Sequence, residues 1–177
     1  MNQILHIMSL KILSVNCQGL GDINKRRDVF NYLRNMDYNI YCLQDTHFTI
    51  DTENDIRNLW GYDCHFSSYA SNARGVAILF KNNFEFSVKK KKGDSDGNYL
   101  LLELAIEDKH ILICCVYGSN NDNPTFYMKL QEHIDDFQTD NIIICGDFNL
   151  VLNPDIDYYN YKNVNNPNAR QKVIELI

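Results

Sequence analysis

The stretch Asn141-Ile-Ile-Ile-Cys-Gly-Asp-Phe-Asn149 decides how the rest of this chain is read. Three isoleucines and a cysteine in a row describe a strand buried on both faces, because β-branched side chains suit a crowded pleated surface. Gly146 lets the chain turn, and Asp147 and Asn149 follow. Two residues apart, they project to one side of an extended backbone. A carboxylate and an amide thus stand together at the carboxyl end of a strand, where open α/β sheets build their sites. Gly, Asp and Asn are also turn formers with their own local hydrogen bonds, so Gly-Asp-Phe-Asn alone reads equally well as a turn.

Working outward, three further apolar runs end in the same way. Leu10-Lys-Ile-Leu-Ser-Val-Asn16 reads as a first strand, stopped at Cys17-Gln-Gly-Leu-Gly21. Asn39-Ile-Tyr-Cys-Leu-Gln44 reads as a second, running into Asp45-Thr-His47. Ile111-Leu-Ile-Cys-Cys-Val-Tyr117 is another two-sided strand, closed by Gly118-Ser-Asn-Asn121. If these ends lie side by side, one sheet edge carries Asn16, Asp45, His47, Tyr117, Asp147 and Asn149. Such an oxygen-rich set suits a hard divalent cation that keeps several waters and takes one or two carboxylates. Amide and phenol donors aimed at phosphate oxygens would stabilise charge developing in a transition state. Together they are the equipment of metal-assisted phosphodiester hydrolysis.

The segments between are consistent with one mixed α/β domain. Asn24 or Asp22 caps a predicted helix from about Lys25 to Met36, with Lys25, Arg26 and Arg27 at its start. Cations there oppose the helix dipole, a cost that a phosphate could offset, although a solvated face explains them as well. A short helix is predicted near Thr52–Leu59 from its Thr-x-x-Asp pattern, with Trp60 packed beneath. Strands are predicted over Tyr62–Ser68, Gly75–Phe80, Phe84–Lys89, Tyr99–Ile106 and Ile111–Tyr117. Lys89–Lys92 reads as an exposed hairpin end that discourages edge pairing. Asn123 caps a helix with Pro124 at its first position, and Phe126, Leu130, Ile134 and Phe137 recur on one face. The Asn- and Tyr-rich segment from Asn153 to Asn168 is irregular, its tyrosines free to stack on bases or to pack a loop. A last helix from about Asn168 groups Val173, Ile174 and Ile177 on one face and breaks off without a cap.

Composition limits the function. The 177 residues, 45% hydrophobic and 12% aromatic, can bury a sizeable core. A net charge of −6 argues against a protein that grips nucleic acid by bulk electrostatics, but not against an enzyme that binds phosphate locally through a cation. No apolar run is long enough for a membrane span, and Met1–Leu10 lacks a secretory pattern. The six cysteines show no C-x-x-C spacing and read as small buried hydrophobes in a reducing, intracellular compartment, nuclear or cytoplasmic.

Ser14-Val-Asn-Cys-Gln-Gly-Leu20, Leu43-Gln-Asp-Thr-His47, Val116-Tyr-Gly118 and Gly146-Asp-Phe-Asn149, with Arg74-Gly-Val-Ala-Ile-Leu79, resemble the endonuclease/exonuclease/phosphatase superfamily. The wording is most similar to the endonuclease domain of LINE-type (non-LTR) retrotransposons, from about Leu10 to the last residue, after a short lead over residues 1–9. The resemblance implies a four-layer α/β/β/α sandwich with two mixed sheets, lacking its C-terminal part. It implies that Asp147 activates the attacking water and Asn149 holds that water and the phosphate. Asp45 would ligate Mg²⁺ or Mn²⁺, Asn16 would support metal and phosphate, Tyr117 would bind the phosphate, and His47 would lie at the rim. DNA would be the substrate, and a reverse transcriptase would follow in a longer polyprotein. An abasic-site repair nuclease of the same superfamily and a non-catalytic relic are the alternatives. Two departures stand out. The metal position is usually Glu, so the shorter Asp45 implies a raised Mg²⁺ requirement. The superfamily's further Asp and Ser-Asp-His motif do not occur here, since all five histidines (His6, His47, His65, His110, His133) precede Asp147. The implied fragment is inactive by itself.

Overall fold

The computed structural model describes residues 9–153, 156 and 166–176. Its order is β1 (Ile12–Asn16), α1 (Ile23–Arg34), β2 (Ile40–Gln44), α2 (Glu53–Trp60), β3 (Cys64–Ser67), β4 (Val76–Phe80), β5 (Ser87–Gly93), β6 (Tyr99–Ile106), β7 (Lys109–Tyr117), α3 (Pro124–Asp135), β8 (Ile142–Asp147) and α4 (Pro167–Leu176). The strands form two four-stranded sheets, ordered β1-β2-β4-β3 and β5-β6-β7-β8. Each is mixed: β1 runs parallel to β2 and β7 parallel to β8, while the remaining pairs are antiparallel.

Three apolar clusters turn these sheets into four layers. Alternate residues of β2 point to opposite faces, which is why all five are buried. Ile40 and Cys42 meet Leu100, Leu102 and Cys115 between the sheets. Tyr41 and Leu43 instead meet Phe30, Leu33, Ile56 and Trp60 of α1 and α2. On the far side, Leu101, Leu112 and Val116 receive Tyr127, Leu130 and Ile134 of α3 with Ala169 and Val173 of α4. The sandwich expected from the resemblance is therefore the fold. Each fully buried aliphatic or aromatic side chain contributes about 1.5–3 kcal/mol, so most of the stability sits in these three interfaces.

Several details differ from the sequence-based expectations. β8 is not buried on both faces: it is an edge strand, paired only with β7 among the described residues, and its residues are at most half-buried. Asp22, not Asn24, caps α1, its carboxylate accepting the Lys25 N–H at 2.8 Å. The Lys25 ammonium points back to the carbonyls of Cys17 and Gln18, at 2.9 and 2.8 Å, so it fastens the β1–α1 loop. Thr52 makes no capping bond to α2; a 3₁₀ turn over Ile50–Thr52 precedes that helix, with a capping box between Thr49 and Thr52. The four lysines lie within edge strand β5, not beyond it, and Lys92 pairs with Asp136 at 2.8 Å. In α4, Val173 is buried but Ile174 is 50% exposed, and Ala169 takes the inward position. Ile177 and the tyrosines Tyr158, Tyr159 and Tyr161 lie outside the described residues. Five cysteines are buried, Cys145 is half-buried, and all six are free. Among the described residues, no helix is long and apolar enough to cross a membrane.

Candidate active site

Strands β1 and β2 end together in one sheet, with Asn16 opposite Gln44. Strands β7 and β8 end together in the other, with Tyr117 opposite Asp147. The two ends meet at a hydrogen bond between the sheets: the Asn16 Nδ2 donates to Asp147 Oδ2 at 2.6 Å. The other Asp147 oxygen accepts the Asn149 backbone N–H at 2.9 Å. With a donor on each oxygen, this carboxylate is fixed in orientation, and charge-assisted bonds of this kind are about twice as strong as neutral ones.

Tyr117 ties the two halves together. Burial raises its phenol pKa, the Asp45 and Asp147 charges raise it further, and side-chain hydrogen bonds with Asn149 and Asn120 pull it partly back. The hydroxyl therefore stays protonated through neutral pH and keeps a proton to donate. Asn149 is anchored by its Nδ2, which donates to the Gly118 carbonyl at 2.8 Å. Gly118 and Gly146 permit this closeness. A Cβ on Gly118 would collide with the Phe148 carbonyl and the Tyr127 hydroxyl, and one on Gly146 with the Val116 backbone.

On the first sheet's side, Asp45 Oδ1 accepts from His47 Nε2 at 3.1 Å and from the Arg74 backbone N–H at 3.2 Å. The Asp45 side chain is 17% exposed. Its Oδ2 has no hydrogen-bond donor among the described residues, which leaves one carboxylate oxygen open on the site. Gln18, Asp45, His47, Arg74 and Asn149 all have positive φ, between 49° and 59°. Backbone strain of about 1–3 kcal/mol per residue gathers at sites that a surrounding fold over-determines, and here the bonds from the Thr46 N–H to the Gly75 carbonyl (3.0 Å) and from the His47 N–H to the Arg74 carbonyl (2.8 Å) hold the loop in place.

The donor set suits a hard divalent cation. Among the described residues, no three His, Cys, Asp or Glu side chains converge as a protein-only cage. Mg²⁺ does not need one, because it keeps waters and is held by one or two carboxylates plus substrate phosphate. Asp45, with its open oxygen, could hold such a cation. Asn16 turns its amide nitrogen to Asp147, and its Oδ1 already accepts the Gln18 N–H at 3.0 Å.

All six sequence-predicted residues thus gather at this edge. Two more were not read from the sequence in this role: Arg74, whose backbone orients Asp45, and Asn120, which lowers the Tyr117 pKa. Asn120 was visible only as part of a polar turn, and Arg74 only as the residue before an apolar strand.

The described endonuclease/exonuclease/phosphatase family matches residues 13–168 of the chain. A transposon TX1 protein of 149 kDa from Xenopus laevis is 26% identical over 148 residues, which are 82% of this chain and 11% of that protein. The chain therefore spans only a small part of that relative's length. Among solved structures, the AP endonuclease LMAP from Leishmania major superimposes with a TM-score of 0.75 at 16% identity, covering 94% of this chain and 65% of the other. The endonuclease domain of TRAS1, a telomere-specific non-LTR retrotransposon, gives 0.65 at 12% identity, covering 94% and 72%. At such identities the structural likeness establishes the fold.

Proposed function

We propose, from the premise that this chain belongs to the endonuclease/exonuclease/phosphatase family, that its strand-end site is a divalent-metal-dependent phosphodiesterase that nicks DNA in the manner of a retrotransposon endonuclease domain. The observation that carries the reading is the 2.6 Å bond from Asn16 to Asp147. It joins the two sheets where a carboxylate can face an attacking water and a phosphate together. Mg²⁺ or Mn²⁺, when bound, would neutralise charge on the phosphate oxygens.

Asp147 orients the water and accepts its proton, held for that task by Asn16 and by the Asn149 N–H. The Tyr117 hydroxyl donates to a non-bridging phosphate oxygen, and the Asn149 side chain borders the same oxygen. Asp45 holds the cation through its open oxygen, and Asn16 supports metal and phosphate from the Asp147 side. His47 stays at the rim, bonded to Asp45. Among the described residues no imidazole is bonded to Asp147, so these residues supply the water-activating half of the chemistry, and a slow residual turnover is expected in place of the inactivity that the family resemblance implies. The similarity to a transposon protein of 149 kDa, about seven times the mass of this chain, supports placing the domain in a larger polyprotein with a reverse transcriptase, working on DNA inside the cell.

Nicking of supercoiled plasmid with Mg²⁺ tests the reading. Weak nicking that a chelator abolishes, and that Asp147→Asn and Asp45→Ala each reduce about 100-fold or more, is expected. Nicking that survives both substitutions unchanged refutes the site. An oligonucleotide with one abasic position separates the two nuclease readings: strong preference for it over intact DNA favours a repair enzyme.

A further inference from the structure

Gln44 is a fully buried amide, 1% exposed, at the carboxyl end of β2. It projects into the layer between the sheets, on the same face of β2 as Ile40 and Cys42. On the neighbouring strands, Ser14 and Asn16 share one face of β1, and Cys115 and Tyr117 share one face of β7. Ser14, Gln44 and Cys115 therefore form the floor beneath Asn16, Tyr117 and, through its bond from Asn16, Asp147. We propose that Gln44 is a positioning residue, whose amide sets the spacing of the two sheets at this end and with it the Asn16–Asp147 bond and the place of Tyr117. Its effect on rate rests on the phosphodiesterase reading of the site; its effect on geometry does not.

The bonds of this amide span both sheets. Gln44 Nε2 donates to Ser14 Oγ on β1 at 3.1 Å, to the Cys42 carbonyl on β2 at 3.0 Å and to Cys115 Sγ on β7 at 3.2 Å. The Ser14 hydroxyl also lies 3.4 Å from Gln44 Oε1. A carbonyl can only accept, so Cys42 fixes which end of the amide carries the nitrogen. Cys115 works in both directions, because its thiol also donates to the Leu43 carbonyl at 3.5 Å. The network thus joins β1, β2 and β7, three of the strands that carry the site. The bond from Asn16 to Asp147 adds β8.

An amide is a costly filler in this place. A buried polar group lowers stability unless it is hydrogen-bonded, and a methionine of similar length would fill the same space with no bonds to satisfy. What the amide adds is direction. Apolar contacts between sheets are non-directional, whereas hydrogen bonds weaken steeply with distance and angle. Gln44 therefore holds the sheets against small slides that packing tolerates. Its place in the ladders carries that hold to the site. Gln44 precedes Asp45 and stands opposite Asn16 in the β1–β2 pair. Cys115 stands opposite Cys145 in the β7–β8 pair, one pleat before Tyr117 and Asp147. A shift between the sheets at Gln44 reaches the Asn16–Asp147 bond within one step along each strand.

Proton–nitrogen correlation NMR of the whole chain reads this geometry without turnover. The Asn16 side-chain amide, identified by its loss in Asn16→Ala, is expected in the parent as a downfield-shifted, slowly exchanging signal. In Gln44→Met it is expected to move to the position of a free amide and to exchange about tenfold faster, as the weakening of one hydrogen bond gives. At saturating Mg²⁺ and DNA, Gln44→Met should nick about 10- to 100-fold more slowly, with the half-saturating DNA concentration within about twofold of the parent's. Serine and alanine both lose volume at position 115, so the difference between them reads the hydrogen bonds. Cys115→Ser, which still accepts and donates, should keep the parent's signal and rate, and Cys115→Ala should follow Gln44→Met. Urea denaturation of each variant separates lost geometry from lost folding. A Gln44→Met protein that loses only stability, with its Asn16 signal and its rate per folded molecule unchanged, overturns the proposal, as do equal effects of serine and alanine at 115. If Gln44→Met does not fold, Ser14→Ala removes a single partner and should move the Asn16 signal in the same direction; an unmoved signal there overturns the proposal as well. A signal that moves in the variants of a parent that nicks no DNA sinks the catalytic reading alone, whereas a nicking parent whose variants leave the signal unmoved sinks the positioning role alone.

Discussion

Gly118→Ala probes the junction on which the site depends. Gly118 follows Tyr117 directly; its N–H donates to the Asp147 carbonyl at 2.7 Å, and its carbonyl accepts the Asn149 amide at 2.8 Å. An added Cβ would meet the Phe148 carbonyl carbon at 2.6 Å, and the Phe148 oxygen and Tyr127 hydroxyl more closely still. Backbone cannot rotate out of the way as a flexible side chain could, so the segment carrying Asp147 and Asn149 must move by about an ångström. Overpacking of this kind costs about 1–3 kcal/mol. Breaking the 2.7 Å bond from Tyr127 to the Phe148 carbonyl adds about 0.5–1.5 kcal/mol. Urea denaturation should therefore show a loss of roughly 2–4 kcal/mol with an unchanged m-value. A displacement of about 1 Å in a catalytic group costs on the order of 100-fold in rate, so nicking should fall by at least that much. Gly61→Ala is the control: its Cβ meets nothing within 4 Å, but φ is 82° at the end of α2. It should lose only about 1–2 kcal/mol, from the left-handed conformation, and none of the activity per folded molecule. A Gly118→Ala protein within about 0.5 kcal/mol of the parent, nicking at the parent's rate, would refute the claim that this crowding sets the site's geometry.

Three other outcomes are expected. His65, half-buried on β3, has its pKa pushed from 6.5 down to about 4, first by desolvation and then by Lys91 and Arg57. Its neutral form is favoured in the fold, so this contribution is present above pH 6.5 and is lost as pH falls from 6.5 towards 4. The full shift converts to about 3 kcal/mol, and partial exposure leaves about 1–2; denaturation of parent and His65→Gln at pH 7 and 5 should show the parent losing more, and equal losses would count against it. Asp45→Glu restores the missing methylene and should lower the Mg²⁺ concentration for half-maximal nicking by up to about tenfold, equivalent to about 1.4 kcal/mol; an unchanged titration would show that the side-chain length does not limit metal binding. Ile142 is 41% exposed on the β8 edge, so Ile142→Lys should reduce self-association in light scattering while moving stability by less than about 0.5 kcal/mol, and unchanged association would absolve that edge.

How far the fold could be read from the sequence depended on what an apolar run reports. It reports cover above and below a strand. β6 was predicted to its residue bounds, and β2, β4 and β7 to within two residues at either end, because both faces of each are packed. It does not report lateral neighbours. Ile142–Cys145 and Ile111–Cys115 look alike as text, yet among the described residues β7 has a strand on each side while β8 has one. β5 was misplaced for a related reason: Phe84 and Phe86 alternate like strand residues but stack on Phe80, with centroids at 6.4 and 3.9 Å. They fill the inter-sheet cluster before the ladder begins at Ser87.

The site was legible by a different signal. Asn16, Asp45, Tyr117 and Asp147 each occupy the last position of an apolar run or the one after it, so topology alone can carry them to one edge once the strands are parallel within their pairs. Arg74 and Asn120 lie in turns, and nothing periodic marks them; they become meaningful only through the left-handed Asp45 loop and the effect of Asn120 on the Tyr117 phenol. The open side of the sandwich follows from the same geometry. Asn16 and Asp147 terminate β1 and β8, which are the edge strands of their sheets on one flank, while the opposite flank ends in the lysines of β5. The Asp147 carboxylate thus stands on the flank where Leu13, Val15, Ile143 and Ile144 are only half covered. A polypeptide that paired with β8 or β1 would close that flank and complete the wall of the site in a single step. Charge on β5 deters pairing at the other edge, whereas among the described residues no strand pairs with β8 or β1 on the flank that carries Asp147.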